Sequence, residues 1–282
     1  MMGSMLRLSR FIVFVDYADF VEVQHAARGT RHRIDRAIYE ELLGYAKFRS
    51  ASLAVAQWVE HGVLVAPFTD TLLSEGAIPG SETALATDYH RWYWRHEIES
   101  ERDYRWLGEV VLKMPSDLFY LQELLTGTHV QRVLELGRGR GGGAWFLSSI
   151  LQMQGGGMVV SLDIDPLTSA IDGSRWTEVE QHDFVGDAMN RETIDRVRGT
   201  CSTFELIVID LGGDPQRNLR ALRLWADLLA DGGTVVIEDL WGSDDAGAIR
   251  ELDRFLLDNR QFSLCPWGLR HPLLKGIGLR KT

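Results

Sequence analysis

Positive charge is what this chain has too little of. Thirty Lys and Arg stand against forty Asp and Glu, giving a formal net charge of −10. A phosphate backbone as main partner needs clustered Lys and Arg, so nucleic-acid binding is not expected. Cysteine is scarce too. Cys201 and Cys265 make no disulfide framework and no metal-binding spacing. Long apolar runs are missing as well. The opening stretch has an apolar core only from Phe11 to Val15 before Asp16 and Asp19 follow, too short for a signal peptide or a membrane span. These absences favour a cytoplasmic location and no membrane partner. No internal repeat and no low-complexity tract is present.

What remains suits one large α/β domain with a smaller addition. The chain has 282 residues and an ordinary apolar fraction of 45%. Its texture changes near residue 112. Before that point, "RIDRAIYEELLGYAKF" and "SLAVAQWVEHGVL" carry apolar residues at helical spacing. The stretch between residues 62 and 85 is rich in Gly, Pro, Ser and Thr and reads as a loop. An aromatic and charged segment, "DYHRWYWRHEIESERDYRW", comes next. Residues 1–112 are therefore expected to be a helical extension serving acceptor binding or oligomerisation, and residues 113–282 the main domain.

After residue 128 strand-like and helix-like segments alternate. "VQRVLEL", "GMVVSLDI", "TEVEQHDF", "FELIVIDL" and "GGTVVIEDL" read as strands, separated by helical segments. "FSLCPW" and "KGIGLRK" close the chain as a hairpin. That alternation predicts a mostly parallel, doubly wound sheet, with the ligand beyond the strand carboxyl ends.

The loop after the first of these strands is the most informative stretch. "VLELGRGRGGG" places Glu135 two residues before Gly137 and crowds five glycines into positions 137–143. A plain turn is one reading, although five glycines are costly where other residues would fit. A dinucleotide site is another, since Gly137, Gly139 and Gly142 satisfy G-x-G-x-x-G. The third is an S-adenosylmethionine site, marked by Glu135, Gly137, Gly139 and Gly141. Glu135 favours the third. A carboxylate serves a pyrophosphate badly and serves a cationic amino group and sulfonium well. Asp163, with Asp165 nearby, ends the second strand, where an acid accepts from ribose hydroxyls of either cofactor. Asp187 in "FVGDA" is placed to address the adenine, or else forms a turn. Arg138 and Arg140 either pair with an anionic group or face solvent.

Four stretches in order resemble the cephalosporin hydroxylase/rhamnosyl O-methyltransferase family of class I methyltransferases. They are "YRWLGEVVLKMPSDLFYLQELL" with its Lys113–Pro115–Asp117 core, "VLELGRGRGGG", "VVSLDID", and "ELIVIDLGGD" followed by "GGTVVIEDLW". The likeness covers roughly residues 104–240, and the closing hairpin fits it. It implies a Rossmann-like class I methyltransferase sheet with a C-terminal antiparallel hairpin. It also implies methyl transfer from adenosylmethionine to a small acceptor carrying a sugar hydroxyl, phenol or carboxylate, as in natural-product and antibiotic biosynthesis. Lys113 is implied near the cofactor's methionyl end. Mg²⁺ held by Asp210, Glu238 and Asp239, with Asp210 and Asp239 serving catalysis, and homo-oligomers are further family traits.

One departure stands out. Metal-dependent members carry a histidine base three residues after the strand-end Asp, and here that position is Gly213. Asp214 next to it is a poor base for an alcohol when solvated. A binding protein of the same fold that transfers no methyl group is therefore the alternative. The cluster His90, Trp92, Tyr93, Trp94 and His96 is either a pocket wall or core, and Trp241 is placed to line the acceptor side. His182 and His271 read as structural or exposed.

Overall fold

The structure is a computed structural model that describes residues 5–9, 12–25, 30–50, 56–67, 104–166, 175–240, 245–265 and 276–282. The expected cluster at His90–His96, together with Trp241 and His271, lies outside these residues.

Seven strands form the central sheet. They are β9 (Arg132–Leu136), β10 (Gly157–Asp163), β11 (Val179–Val185), β12 (Phe204–Ile209), β13 (Leu229–Ile237), β14 (Phe262–Leu264) and β15 (Ile277–Lys281), in the spatial order β11-β10-β9-β12-β13-β15-β14. The first five pair in parallel, while β15 runs antiparallel to both β13 and β14. Strand order reverses between β9 and β12, so a crevice opens beyond their carboxyl ends.

Both faces of the sheet are covered, which is why its inner strands read as unbroken apolar runs. Leu134, Leu136, Leu162, Ile207, Ile209 and Ile237 face one cluster. On that side lie α5 (Arg191–Thr200), α6 (Pro215–Trp225) and α7 (Asp245–Asp258). Val133, Val159, Leu206, Val208 and Val236 face the other, with α3 (Pro115–Gly127) and α4 (Gly142–Met153). α4 is buried from Gly142 through Leu151, as an all-round apolar helix must be. α3 starts with Pro115 in its first turn and Asp117 beside it, the residue types that suit a helix start.

The expected helical character of the N-terminal region needs correction. Among the described residues of this region there are the helices α1 (Arg36–Leu43) and the short α2 (Ala56–Glu60), but strands dominate. β2 (Ile12–Asp16), β3 (Val21–His25) and β4 (Thr30–Ile34) form an antiparallel meander. β1 (Met5–Leu8) pairs with β5 (Arg49–Ser50) and β6 (Leu64–Val65). The physical reason is a period of two: in "VEVQH", Val21, Val23 and His25 are buried while Glu22 and Gln24 are not. The runs are two to five residues long, too short to outweigh the helical periodicity beside them.

This region packs on the α7 side. Arg7, fully buried, donates from Nε to Asp253 Oδ1 at 2.8 Å. The hairpin β7 (Arg105–Trp106) and β8 (Glu109–Val110) lies on the opposite side against α4. There Trp106 Nε1 donates to Ser149 Oγ at 2.8 Å and the Trp106 ring meets Phe146 edge-on.

Candidate active site

Sheet register brings three acids together. Glu135 on β9 stands opposite Val208 on β12, which in turn pairs with Val236 on β13. Side chains alternate along strands, so the next row on the same face holds Gly137, Asp210 and Glu238. All four positions look toward α3 and α4 at the carboxyl ends of neighbouring strands.

Each glycine of the loop has its own reason. Gly137, Gly139 and Gly141 have φ of 94°, 53° and 90°, a region that L side chains rarely enter. At Gly137 a Cβ would overlap the Asp210 carbonyl oxygen, so the turn after β9 lies directly on the turn after β12. At Gly142 it would strike the Val110 carbonyl, and at Gly143 the Glu135 carboxylate and Lys113 Cε. Gly139 is different. Only Leu112 Cδ1, at 3.7 Å, comes near, and the space is open to a ligand.

Glu135 is fully buried beneath α4, and neither carboxylate oxygen has a hydrogen-bond partner. Burial pushes its carboxyl up to about 8, against the opposing pull of Lys113 and Arg138. Such an uncompensated group calls for a cation or donor from elsewhere.

Lys113, in the segment leading into α3, has a side chain only 5% exposed. Its Nζ donates to Asp210 Oδ2 at 2.9 Å and to both Glu238 oxygens at 2.9 and 3.0 Å. Burial works against the ammonium, but Asp210, Glu238 and Glu135 outweigh it and hold Lys113 firmly protonated. Burial likewise opposes the Asp210 charge, yet Lys113 keeps that carboxyl below its ordinary range. Glu238 is driven well above its own by burial and by Asp210. Both carboxyl groups are therefore tied electrostatically to the one Lys113 ammonium. The side chain expected at the cofactor's methionyl end does pass under Gly143, but its charged tip is spent on the two acids.

Asp163 Oδ2 accepts from Gly139 N at 2.8 Å and its Oδ1 from Asp165 N at 3.0 Å. The acid that ends β10 and the glycine loop are therefore locked to each other. Asp165 is exposed, and its carbonyl receives Arg138 Nη2 at 2.8 Å. Arg138 is buried and also lies 3.6 Å from Asp183, so it braces the floor of the crevice, while Arg140 is exposed. Asp187 uses Oδ1 to accept from Met189 N at 2.9 Å, a turn-forming bond, and lies 3.6 Å from Arg217. His182 meets Glu180 at 2.7 Å on β11, away from this row.

Asp239 follows Glu238 with φ 54°. Among the described residues no group of three or more His, Cys, Asp or Glu is gathered as metal ligands. Asp214 caps α6, accepting from Gln216 N and Arg217 N, and Gly213 is exposed with nothing near its Cβ position. Sequence reasoning missed Asn218. Fully buried on α6, it donates to the Glu238 carbonyl and accepts from Leu211 N, both at 2.9 Å, stapling the turns after β12 and β13.

The strand order, the antiparallel β15 and the glycine loop at the reversal point define a class I methyltransferase fold. Residues 99–254, more than half of the chain, match the rhamnosyl O-methyltransferase/CmcI family. The chain belongs to that family, and with it to the S-adenosylmethionine-dependent O-methyltransferases. Rhamnosyl O-methyltransferases of Mycobacterium bovis and Mycobacterium tuberculosis are 26% identical to it over 195 residues, covering 68% of this chain and 76% of theirs. A CmcI structure described as Mg-SAM aligns with TM-score 0.50 and 22% identity, covering 64% of this chain and 76% of that one. A CmcI apo-structure aligns with TM-score 0.51 and 20% identity over the same shares. These two show the fold. Among the described residues no helix is long and apolar enough to cross a membrane.

Proposed function

We propose that the crevice beyond β9 and β10 holds S-adenosylmethionine and that the β12 and β13 ends present a small acceptor to it. The observation that carries this is the Glu135 carboxylate, buried and without a hydrogen-bond partner under a loop of positive-φ glycines. A cationic methionyl end supplies what that carboxylate lacks. Gly137, Gly139 and Gly141 let the backbone approach, and Asp163, Asp165 and Asp187 serve the ribose and adenine side.

Bound adenosylmethionine supplies an electrophilic methyl group. The rest is placement by this chain's residues. Lys113 fixes Asp210 and Glu238, Asn218 fixes the turns that carry them, and Asp210, the more exposed of the two acids, is the acceptor's orienting group. Asp239 follows Glu238 in sequence. Apolar walls around the loop, Leu112 and Ile164, remain exposed and suit a ligand's rings.

The acceptor class we propose is a hydroxyl of a sugar or related natural product, following the family's name and its mycobacterial members. A phenol or carboxylate acceptor would need less help, since Gly213 brings no base. Mg²⁺, named for a CmcI structure, would fall here to Asp210, Glu238 and Asp239, acting as a Lewis acid. The present arrangement fits an ion only with Lys113 moved aside. We also propose residues 113–282 as the transferase unit and residues 1–112 as the part that shapes acceptor choice and self-association. Exposed Leu107 and Phe119 support a homo-oligomer, and the two buried, unpaired cysteines suit a cytoplasmic setting.

The test is release of adenosylhomocysteine from adenosylmethionine with a panel of sugar, phenol and carboxylate acceptors, with and without EDTA. Acceptor-dependent release supports the proposal. Tight adenosylmethionine binding with no release on any acceptor would favour the non-transferring alternative.

A further inference from the structure

The Lys113 ammonium makes three contacts of 2.9–3.0 Å to three oxygens, one of Asp210 and two of Glu238. An ammonium has three donors, so it is fully satisfied. The backbone leading to it is closely held. The Val110 carbonyl crowds Gly142, the Leu112 side chain lies over Gly139, and Lys113 Cε lies under Gly143. One short segment thus crosses the donor loop and ends between the two acids. We infer that Lys113 is the resident cation of the Asp210–Glu238 pair, a positioning residue that competes with any divalent ion for the same oxygens.

Electrostatics makes the competition steep. A divalent ion coordinated by these oxygens would stand within a few ångströms of a buried positive charge. Mg²⁺ also demands near-octahedral oxygens at roughly 2.0–2.1 Å and sheds water reluctantly. With Lys113 in place the pair is already neutralised and offers an ion little. With Lys113 removed, a buried Glu238 and a partly buried Asp210 lose their counter-charge and become a ready divalent site. The inference rests on the proposal that this pair is the acceptor side of the crevice, but it predicts a property of the pair that donor binding does not share.

The experiment uses the full chain and Mn²⁺ as the probe, with free ion counted by electron paramagnetic resonance. Wild type is expected to bind Mn²⁺ weakly, in the millimolar range. Lys113→Met is expected to bind it more than about tenfold tighter, and to melt at a higher temperature as Mn²⁺ is added, which wild type does not. Lys113→Met/Glu238→Gln, which removes one acid as well, is expected to lose that gain. Micromolar binding by wild type, or equal affinity in wild type and Lys113→Met, overturns the inference. Should Lys113→Met fold only with Mn²⁺ present, that dependence supports it. If it fails to fold even then, the wild-type titration decides. Adenosylhomocysteine calorimetry on the same wild-type sample reads the donor assignment separately.

Discussion

Glu135 and Gly143 touch across the gap between β9 and the first turn of α4, with no room for a methyl group between them. Two of the helix's first residues are glycine because the buried carboxylate and the Val110 carbonyl occupy the space that side chains would take. Gly143→Ala is therefore expected to push Glu135 or Lys113 out of place. Overpacking of this kind costs about 1–3 kcal/mol. Titration calorimetry should show adenosylmethionine affinity falling by a comparable amount. Unchanged affinity would mean the carboxylate relaxes freely.

Gly137 and Gly139 should fail in different ways. Gly137→Ala drives a Cβ into the Asp210 carbonyl, backbone against backbone, and is expected to lower the melting temperature sharply. Gly139→Val also strains a backbone of positive φ, but its side chain meets open space on the ligand side, so it should lose less stability than Gly137→Ala while losing cofactor binding. Thermal melts and calorimetry on both variants separate the two. Equal stability loss in both would contradict the geometry.

Glu135 also predicts a pH dependence. Its folded-state carboxyl is raised by burial to about 8, above its unfolded value. The folded protein therefore holds the extra proton between the ordinary carboxylate range and about pH 8. Stability contributed this way falls as pH rises through that window. Glu135→Gln removes the effect, so its melting temperature should match wild type near about pH 5 and exceed it near about pH 9. Adenosylmethionine, being cationic, should expel the proton on binding near neutrality. Calorimetry in buffers of different ionisation enthalpy measures that release, and binding without proton release would remove Glu135 from the cationic end.

Asp210→Ala should reduce turnover far more than adenosylmethionine affinity, because Asp210 stands at the proposed acceptor side and is the more exposed of the two acids there. Side-by-side kcat and Kd values check this. A parallel loss in both would make the residue structural.

The sheet was legible because each strand announces itself locally. "FELIVIDL" and "GGTVVIEDL" are apolar runs closed by acids, and Glu135 with its glycines is a contiguous motif. What stayed hidden depends on distance along the chain. Lys113 reaches acids 97 and 125 residues away, and no local pattern marks that ion pair. Asn218 looks like any polar residue on a helix until the Glu238 carbonyl is found beside it. Arg138 alternates with glycine as a solvent-facing residue would, yet it is buried against Asp165, in the turn after β10, and Asp183 on β11. The N-terminal strands escaped because each is short and gains its partner only from a hairpin or a distant strand.

Calorimetry of adenosylhomocysteine, adenosylmethionine and NAD against the wild-type chain and Glu135→Gln decides which cofactor the crevice at Glu135 takes. The sulfur nucleosides should bind, with adenosylmethionine affinity dropping in Glu135→Gln, while NAD gives no heat. Tight NAD binding, or adenosylmethionine binding indifferent to residue 135, would contradict the account.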